Sequence, residues 1–399
     1  MSQKRARPSS RGESRAIGSS LGRSRVAFCA ATFLFFASLY VFVPILPVYA
    51  ESIVDNLALV GVIIASYALP QLLFRIPMGV YFDASTKRKP IVVFSMLMCV
   101  GGAVGLAFAH SGGTLFLGRA MTGVGAAGWV AFTTFFTGYY PQSGSARALG
   151  TINAVGQAAI VVATGLGGLL ADAGGYRTVF LVAAGLAALG VLALAFAHEP
   201  AMAVRERSKG DLARVATAPL LVASGVMAVL LQFATFSGTF GFIPSYGASI
   251  GASNSQLGVI TMVTLAASAA AVVASVRVAE RVGYPAALSL GAAILGGTLL
   301  LVPYTTTPET LTLVQLVSGL GRGTLTTLLM ALSIRAAPAG ARATAMGVYQ
   351  AVYAIGMLAG PLVSGVVADS LDFDAVFRLS AVLALAIVVV AQHPVVRRA

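Results

Sequence analysis

The chain has 399 residues, 58% hydrophobic and 10% charged, with a mean hydropathy of +0.89. Soluble domains carry roughly a quarter charged residues, so a soluble globular fold is excluded and an all-α polytopic membrane protein is indicated. The formal charge of +13 would suit a nucleic-acid binder in a soluble chain; here its position decides its meaning, and no nucleic-acid partner is expected.

Residues 1–24 (MSQKRARPSSRGESRAIGSSLGRS) are rich in Ser, Arg and Gly and read as a disordered tail. The first apolar run, 26–50, is longer than the core of a signal peptide and lacks a small-residue cleavage site, so it is expected to stay in the protein. A bilayer-crossing helix needs about 20 mostly apolar residues. Further runs fall at 56–80, 90–110, 114–139, 148–171, 177–197, 218–247, 254–276, 285–304, 309–334, 343–368 and 375–392. Together they predict twelve spans. The long connection 198–217 divides the chain into an N-terminal six-helix bundle, 25–197, and a C-terminal one, 218–392, followed by a short tail, 393–399. With both termini on one side, twenty-one of the 26 basic residues fall on that side and only Arg177 and Arg378 on the other. The positive-inside rule therefore puts both termini in the cytoplasm.

The chain is also written twice. At a shift of 197, Gly61 falls on Gly258, Asp83 on Glu280, Asp172 on Asp369 and Phe180 on Phe377. GLLADAGGYRTVF at 168–180 meets GVVADSLDFDAVF at 365–377. One residue must be gapped before GVG at 123–125 meets GLG at 319–321. Parallel repeats of six spans imply two halves with the same orientation and a site between them.

Between the second and third runs stands RIPMGVYFDASTKRKP, with Gly79, Asp83, Lys87, Arg88 and Lys89. This resembles the signature loop of the major facilitator superfamily, with Ala84 and Thr86 where the family has Arg and Gly. The repeat copy keeps Glu280, Arg281 and Gly283 but has Val276 in place of the Gly. Twelve spans, the duplicated halves and cytoplasmic termini fit the same resemblance over nearly the whole chain. It implies that Asp83 faces the N-terminal end of the eleventh span near 340–344 in one conformation and latches it. A carboxylate at a helix N-terminus contributes about 0.3–1 kcal/mol. The alternative is that the basic trio only enforces topology.

Two further patterns resemble that family. RAMTGVGAA carries Arg119, Gly123 and Gly125, and GMLAGPLVSG carries Gly356, Gly360, Pro361 and Gly365. The second matches a motif that family antiporters hold in their fifth span, whereas here it lies in the eleventh; the fifth has Thr164 in the Pro position. The resemblance places Arg119 and Arg322 on a central cavity. None of the 13 acidic residues is mid-span, so two arginines without a carboxylate point to an acidic substrate. Arg75 sits near a span end and is expected to snorkel to the surface. Tyr40, Asn153, Gln157, Gln232 and Tyr353 are the polar candidates for substrate contact, with interhelical bonding as the alternative role.

The expected function is secondary transport of a small molecule by rocking of the two halves, with proton-coupled efflux of a drug-like or metabolite substrate as the first reading. Uptake or exchange of an organic anion held by Arg119 and Arg322, without proton coupling, is the second. An embedded enzyme or a receptor is the rival class. No nucleophile–base pair, phosphate loop or metal-ligand cluster is present, and Cys29 and Cys99 form neither a disulfide framework nor a metal site. The expected partners are the substrate, protons and the lipid of a plasma membrane, with no cofactor and a monomeric state.

Overall fold

The computed structural model describes residues 10–85, 87–200, 211–338 and 341–398. Among them the chain is helical, with no strand. Ten segments are long and apolar enough to cross a membrane. One of these, Arg147–Ala195, belongs to a continuous helical stretch, Ser145–Ala195, that Gly175 splits with φ 75° and ψ 170°, so it supplies spans 5 and 6. Span 1 is Ser10–Tyr40 continued by Leu46–Glu51, which completes the twelve expected.

The remaining spans follow in order. Span 2 is Leu57–Ala65 with Ala68–Ala84, span 3 is Lys89–Ala107, and span 4 is Gly112–Ala127 with Trp129–Thr137. Span 7 is Pro219–Ser237, the π-turn Gly238–Phe242 and Ile243–Ser249. Spans 8 to 12 are Asn254–Val282, Tyr284–Leu301, Pro308–Arg335, Arg342–Ser370 and Phe373–Ala391. Counting connections puts both ends of the chain and the central linker on one face, the terminal face. The turns after spans 1, 3, 5, 7, 9 and 11 lie on the opposite, far face.

Helix starts are built differently on the two faces. On the far face Asn56, Ser111, Ser253, Thr307 and Asp372 accept from the first free backbone amides, three of them in capping boxes. On the terminal face spans 3, 7 and 9 begin with Pro90, Pro219 and Pro285, which need no partner for the missing N–H. Within lipid every backbone group must be satisfied internally, so an uncapped start is costly.

Several differences from the sequence reading are local. The first helix already begins at Ser10, inside the stretch read as disordered tail. No Gly–Pro break stands between Ser10 and the membrane-spanning part, so the helix runs on into the polar segment. A short helix, Asp211–Ala216, ends the linker, whose residues 201–210 lie outside the described ones. Spans 1 and 7 are interrupted at matching places: residues 41–45 leave the helix, and the π-turn 238–242 answers them at the repeat shift. Such interruptions are tolerated where they line a cavity.

Two glycines of the Gly–Pro motif in span 11, Gly356 and Gly360, pack inside the C-terminal half. A Cβ on Gly356 would strike the Val229 carbonyl and Phe233 N of span 7, and one on Gly360 the Phe233 carbonyl at 2.7 Å. Gly347, in the same span, faces open space. Gly356→Val should therefore cost about 1–3 kcal/mol through forced separation of spans 7 and 11 and lower the thermal unfolding temperature of the purified protein. Gly347→Ala should not lower it. Equal melting of the two variants would contradict this packing.

Candidate functional site

Two crossings join the halves near the far face, and they obey the repeat. At the first, span 2 meets span 11. A Cβ on Gly365 would lie 2.8 Å from the Leu57 carbonyl and 2.9 Å from Gly61 Cα, and one on Gly61 would strike the Pro361 carbonyl. At the second, span 8 meets span 5. A Cβ on Gly258 would lie 2.9 Å from the Thr164 carbonyl and 3.2 Å from Gly168 Cα, and one on Gly168 would strike the Asn254 carbonyl. Gly61 and Gly258, and Gly168 and Gly365, are the repeat pairs. Only glycine permits backbones this close, and at that range dispersion and Cα–H···O contacts act together.

A carboxylate seals each crossing. Asp369, at the end of span 11, accepts from Leu57 N at 3.0 Å and Asn56 Nδ2 at 3.1 Å, the start of span 2. Asp172, at the end of span 5, accepts from Ser255 N at 2.8 Å, Asn254 Nδ2 at 2.9 Å and the Ser255 hydroxyl, the start of span 8. Each acid of one half thus satisfies orphan amides and meets the positive helix end of the other half. The sequence reading had these two acids only as repeat matches; the missing signal was the Asn at the start of each partner helix, Asn56 for span 2 and Asn254 for span 8.

Deeper in, three arginines lie between the halves. Arg119 of span 4 is 4% exposed, with its guanidinium 4.2 Å from the Tyr67 ring centre and 5.4 Å from that of Phe42. Its Nε and Nη1 are buried with no hydrogen-bond partner among the described residues. Arg322 of span 10 donates from Nη1 to Ser268 Oγ at 3.1 Å and stands 5.5 Å from the Phe240 ring, with Nε unpartnered. Arg75 does not snorkel. It is buried, donates to Gln71 Oε1 at 2.7 Å and reaches across the seam to the Tyr353 hydroxyl at 3.1 Å. Gln71 holds it one helical turn back, which keeps it off the surface. None of the three pairs with a carboxylate among the described residues.

A cavity of about 10 Å³, room for roughly one water, sits between Tyr40, Tyr67, Arg119, Phe236 and Phe240. Phe240 comes from the π-turn of span 7, and Val43 of the matching break in span 1 also lines it. Tyr40 lies edge-on to Phe240 at 6.0 Å. This space is too small for an organic substrate, which needs about 300 Å³ or more.

The other sequence candidates divide. Tyr40, Arg119 and, through Phe240, Arg322 are brought together, and Tyr353 joins them through Arg75. Gln232 is half-buried and lines none of this cavity, and Asn153 and Gln157 are exposed on span 5, Asn153 donating to its own helix at Leu149 O. Gly123 lies against the Tyr67 carbonyl and Gly125 against Ser95 and Cys99, so both pack the N-terminal half. In the signature loop, the side chains of Gly79 and Asp83 and part of the expected partner segment lie outside the described residues. Lys87 is exposed, while the backbone amides of Arg88 and Lys89 are held by Glu199 of the linker. Glu280 and Arg281 are exposed. Gln71, Tyr67 and Ser268 were not singled out by sequence, because neutral residues on apolar helices give no signal of which side they face.

The model of the Major Facilitator Superfamily matches residues 28–250 and 225–395. The chain belongs to the major facilitator superfamily. It is 25% identical over 355 residues to the inner membrane transport protein YajR of Escherichia coli K12, a match covering 87% of this chain and 77% of that one. It is 28% identical over 159 residues to the class H tetracycline resistance protein of Pasteurella multocida, over 39% of this chain and 40% of that one. Its fold is similar to that of a bacterial homolog of the human lysosomal transporter Spinster, with TM-score 0.77, 17% identity, and 93% and 95% of the two chains covered. Membership makes the protein an integral membrane transporter rather than an enzyme.

Loss of a capping carboxylate costs about 0.5–2 kcal/mol, so Asp172→Ala should raise the open fraction of the far face about twofold to thirtyfold. Met262 of span 8 packs against Gly165 of span 5 across this crossing. In a Cys29→Ser/Cys99→Ser background, the labelling rate of Met262→Cys by an impermeant maleimide should rise by that factor. An unchanged rate would contradict a sealing role for Asp172.

Proposed function

We propose that this transporter moves a small organic anion by alternating access, with Arg119 and Arg322 as the charged contacts of a central site walled by Tyr40, Tyr67, Phe236 and Phe240. The observation that carries this reading is the guanidinium of Arg119, buried with two nitrogens unpartnered and, among the described residues, no carboxylate to balance it. Aromatic faces stabilise a desolvated cation by about 2 kcal/mol, less than the several kcal/mol that its removal from water costs. A substrate carboxylate or phosphate would supply the missing acceptors in paired geometry. Arg322 stands on the other half, so one anion bridging both arginines would favour the state in which the halves are drawn together, and its release would let them part.

The basic residues are concentrated on the terminal face, and the positive-inside rule then sets that face, both termini and the linker in the cytoplasm, with the far face outside a plasma membrane. The latch role of Asp83 at the terminal face is part of this proposal on grounds of family resemblance. A second reading is efflux of flat, drug-like substrates, favoured by the aromatic wall and by similarity to the tetracycline resistance protein.

Purified protein in vesicles, loaded with an internal pH dye, separates the two. Labelled mono- and dicarboxylates and organophosphates should enter, while lipophilic cations should not. Each lost charge-assisted contact is worth about 1.5–3 kcal/mol, so Arg119→Ala should reduce anion flux by about tenfold to a hundredfold. Arg322→Lys should keep part of it. Transport of cations with proton counterflow, unchanged in Arg119→Ala, would overturn the anion reading in favour of efflux.

A further inference from the structure

Glu51 is the last residue of the short helix Leu46–Glu51, at the far-face end of span 1. That helix packs against Ile243–Ser249, the far-face end of span 7. The Glu51 carboxyl is therefore at a third contact between the halves. Its Oε1 is buried without a hydrogen-bond partner, and so is Ser245 Oγ on the opposing helix. An orphaned buried acceptor is costly, and a charged one more so.

The groups that face it are few. From the turn between spans 5 and 6, Tyr176 and Asp172 lie within electrostatic reach of one another, and Tyr176 also of Glu51. Ile243–Ser249 contributes Tyr246, whose hydroxyl is committed to the Thr305 carbonyl at 2.8 Å. The start of span 2, Leu57–Ala65, has no titratable side chain. Among the described residues no Lys, Arg or His acts on Glu51.

We propose that Glu51 is a proton-binding site of the far-face seam, taking up a proton when the ends of spans 1 and 7 meet and returning it when they part. In the parted state water reaches the carboxyl and it ionises normally; in the joined state the neutral acid is the favoured form. The proton enters and leaves on the same face. It therefore sets how readily the seam closes at a given pH and is not itself carried across. Because the closed seam holds the proton more tightly, closure from this group is complete below the open-state pKa. It is lost as pH rises through the closed-state pKa. Asp172 acts with the opposite sign, since its ionised form accepts the capping bonds from Ser255 and Asn254 and acid would weaken them.

The test places spin labels at His110→Cys and Thr306→Cys, two exposed far-face positions in opposite halves, in the Cys29→Ser/Cys99→Ser background. Distance distributions are read in lipid nanodiscs across pH. The closed-to-open ratio of the otherwise unchanged protein should fall by up to about tenfold per pH unit within the titration window. Glu51→Gln should remain closed and lose this component. A Glu51→Gln profile identical to that of the parent, or a parent with no pH response, would overturn the proposal. Substrate flux is not read, so these outcomes are independent of whether the central site takes anions.

Discussion

Two backbone-on-backbone crossings, Gly61 on Gly365 and Gly258 on Gly168, are the constraint from which the rest of the architecture follows. In lipid there is no hydrophobic drive for one apolar helix to prefer another over an acyl chain, so association rests on close packing and polar bonds. Glycine supplies the first and Asp369 and Asp172 the second. Both kinds of contact are short-ranged and confined to the far-face end of the spans. They hold firmly when made and vanish after a small rotation, as a joint between two rigid bundles requires. The interior of each bundle is different: Gly356, Gly360, Gly123 and Gly125 bind spans of the same half, so each half is closely packed within itself.

The charged centre sits below that joint. Arg119 is buttressed by Tyr67 and Phe42 of its own half, Arg322 by Ser268 and Phe240 of its own half, and Arg75 by Gln71 of its own half and Tyr353 of the other. Uncompensated positive charge at such depth is expensive in any single state. It is tolerable in a protein whose working cycle admits water or a ligand to the same place. The helix breaks in spans 1 and 7 serve this purpose, since residues 41–45 and 238–242 bring Val43 and Phe240 to the cavity wall and leave room for the seam to rearrange.

Much of this was legible in the residues. The count of spans, the two halves and the family follow from apolar run lengths and from the self-match. The pairs Gly61/Gly258 and Asp172/Asp369 were visible as repeats, but their use was not: self-comparison reports which positions correspond, and it is silent on which positions touch. Asp172 touches Asn254 of the C-terminal half, and its repeat mate Asp369 touches Asn56 of the N-terminal half. Arg75 was misread because snorkelling is the default for a basic residue near a span end, and only the side chains of Gln71 and Tyr353 reveal the alternative. Glu51 looked like an ordinary loop acid, since burial at a seam between distant spans leaves no mark on local sequence. The start of the first helix was missed for the opposite reason: a polar composition resembles disorder even where the helix simply continues.

The central claim is that the far-face seam must part once in every transport cycle. Asn56 Nδ2 and Asp369 Oδ2 stand 3.1 Å apart, so side chains at these two positions meet across the seam. In vesicles holding Asn56→Cys/Asp369→Cys, freed of its native cysteines, a short bis-methanethiosulfonate cross-linker should stop substrate flux and a reductant should restore it, with either single variant indifferent to both. Flux that persists unchanged in the fully cross-linked protein would contradict the account.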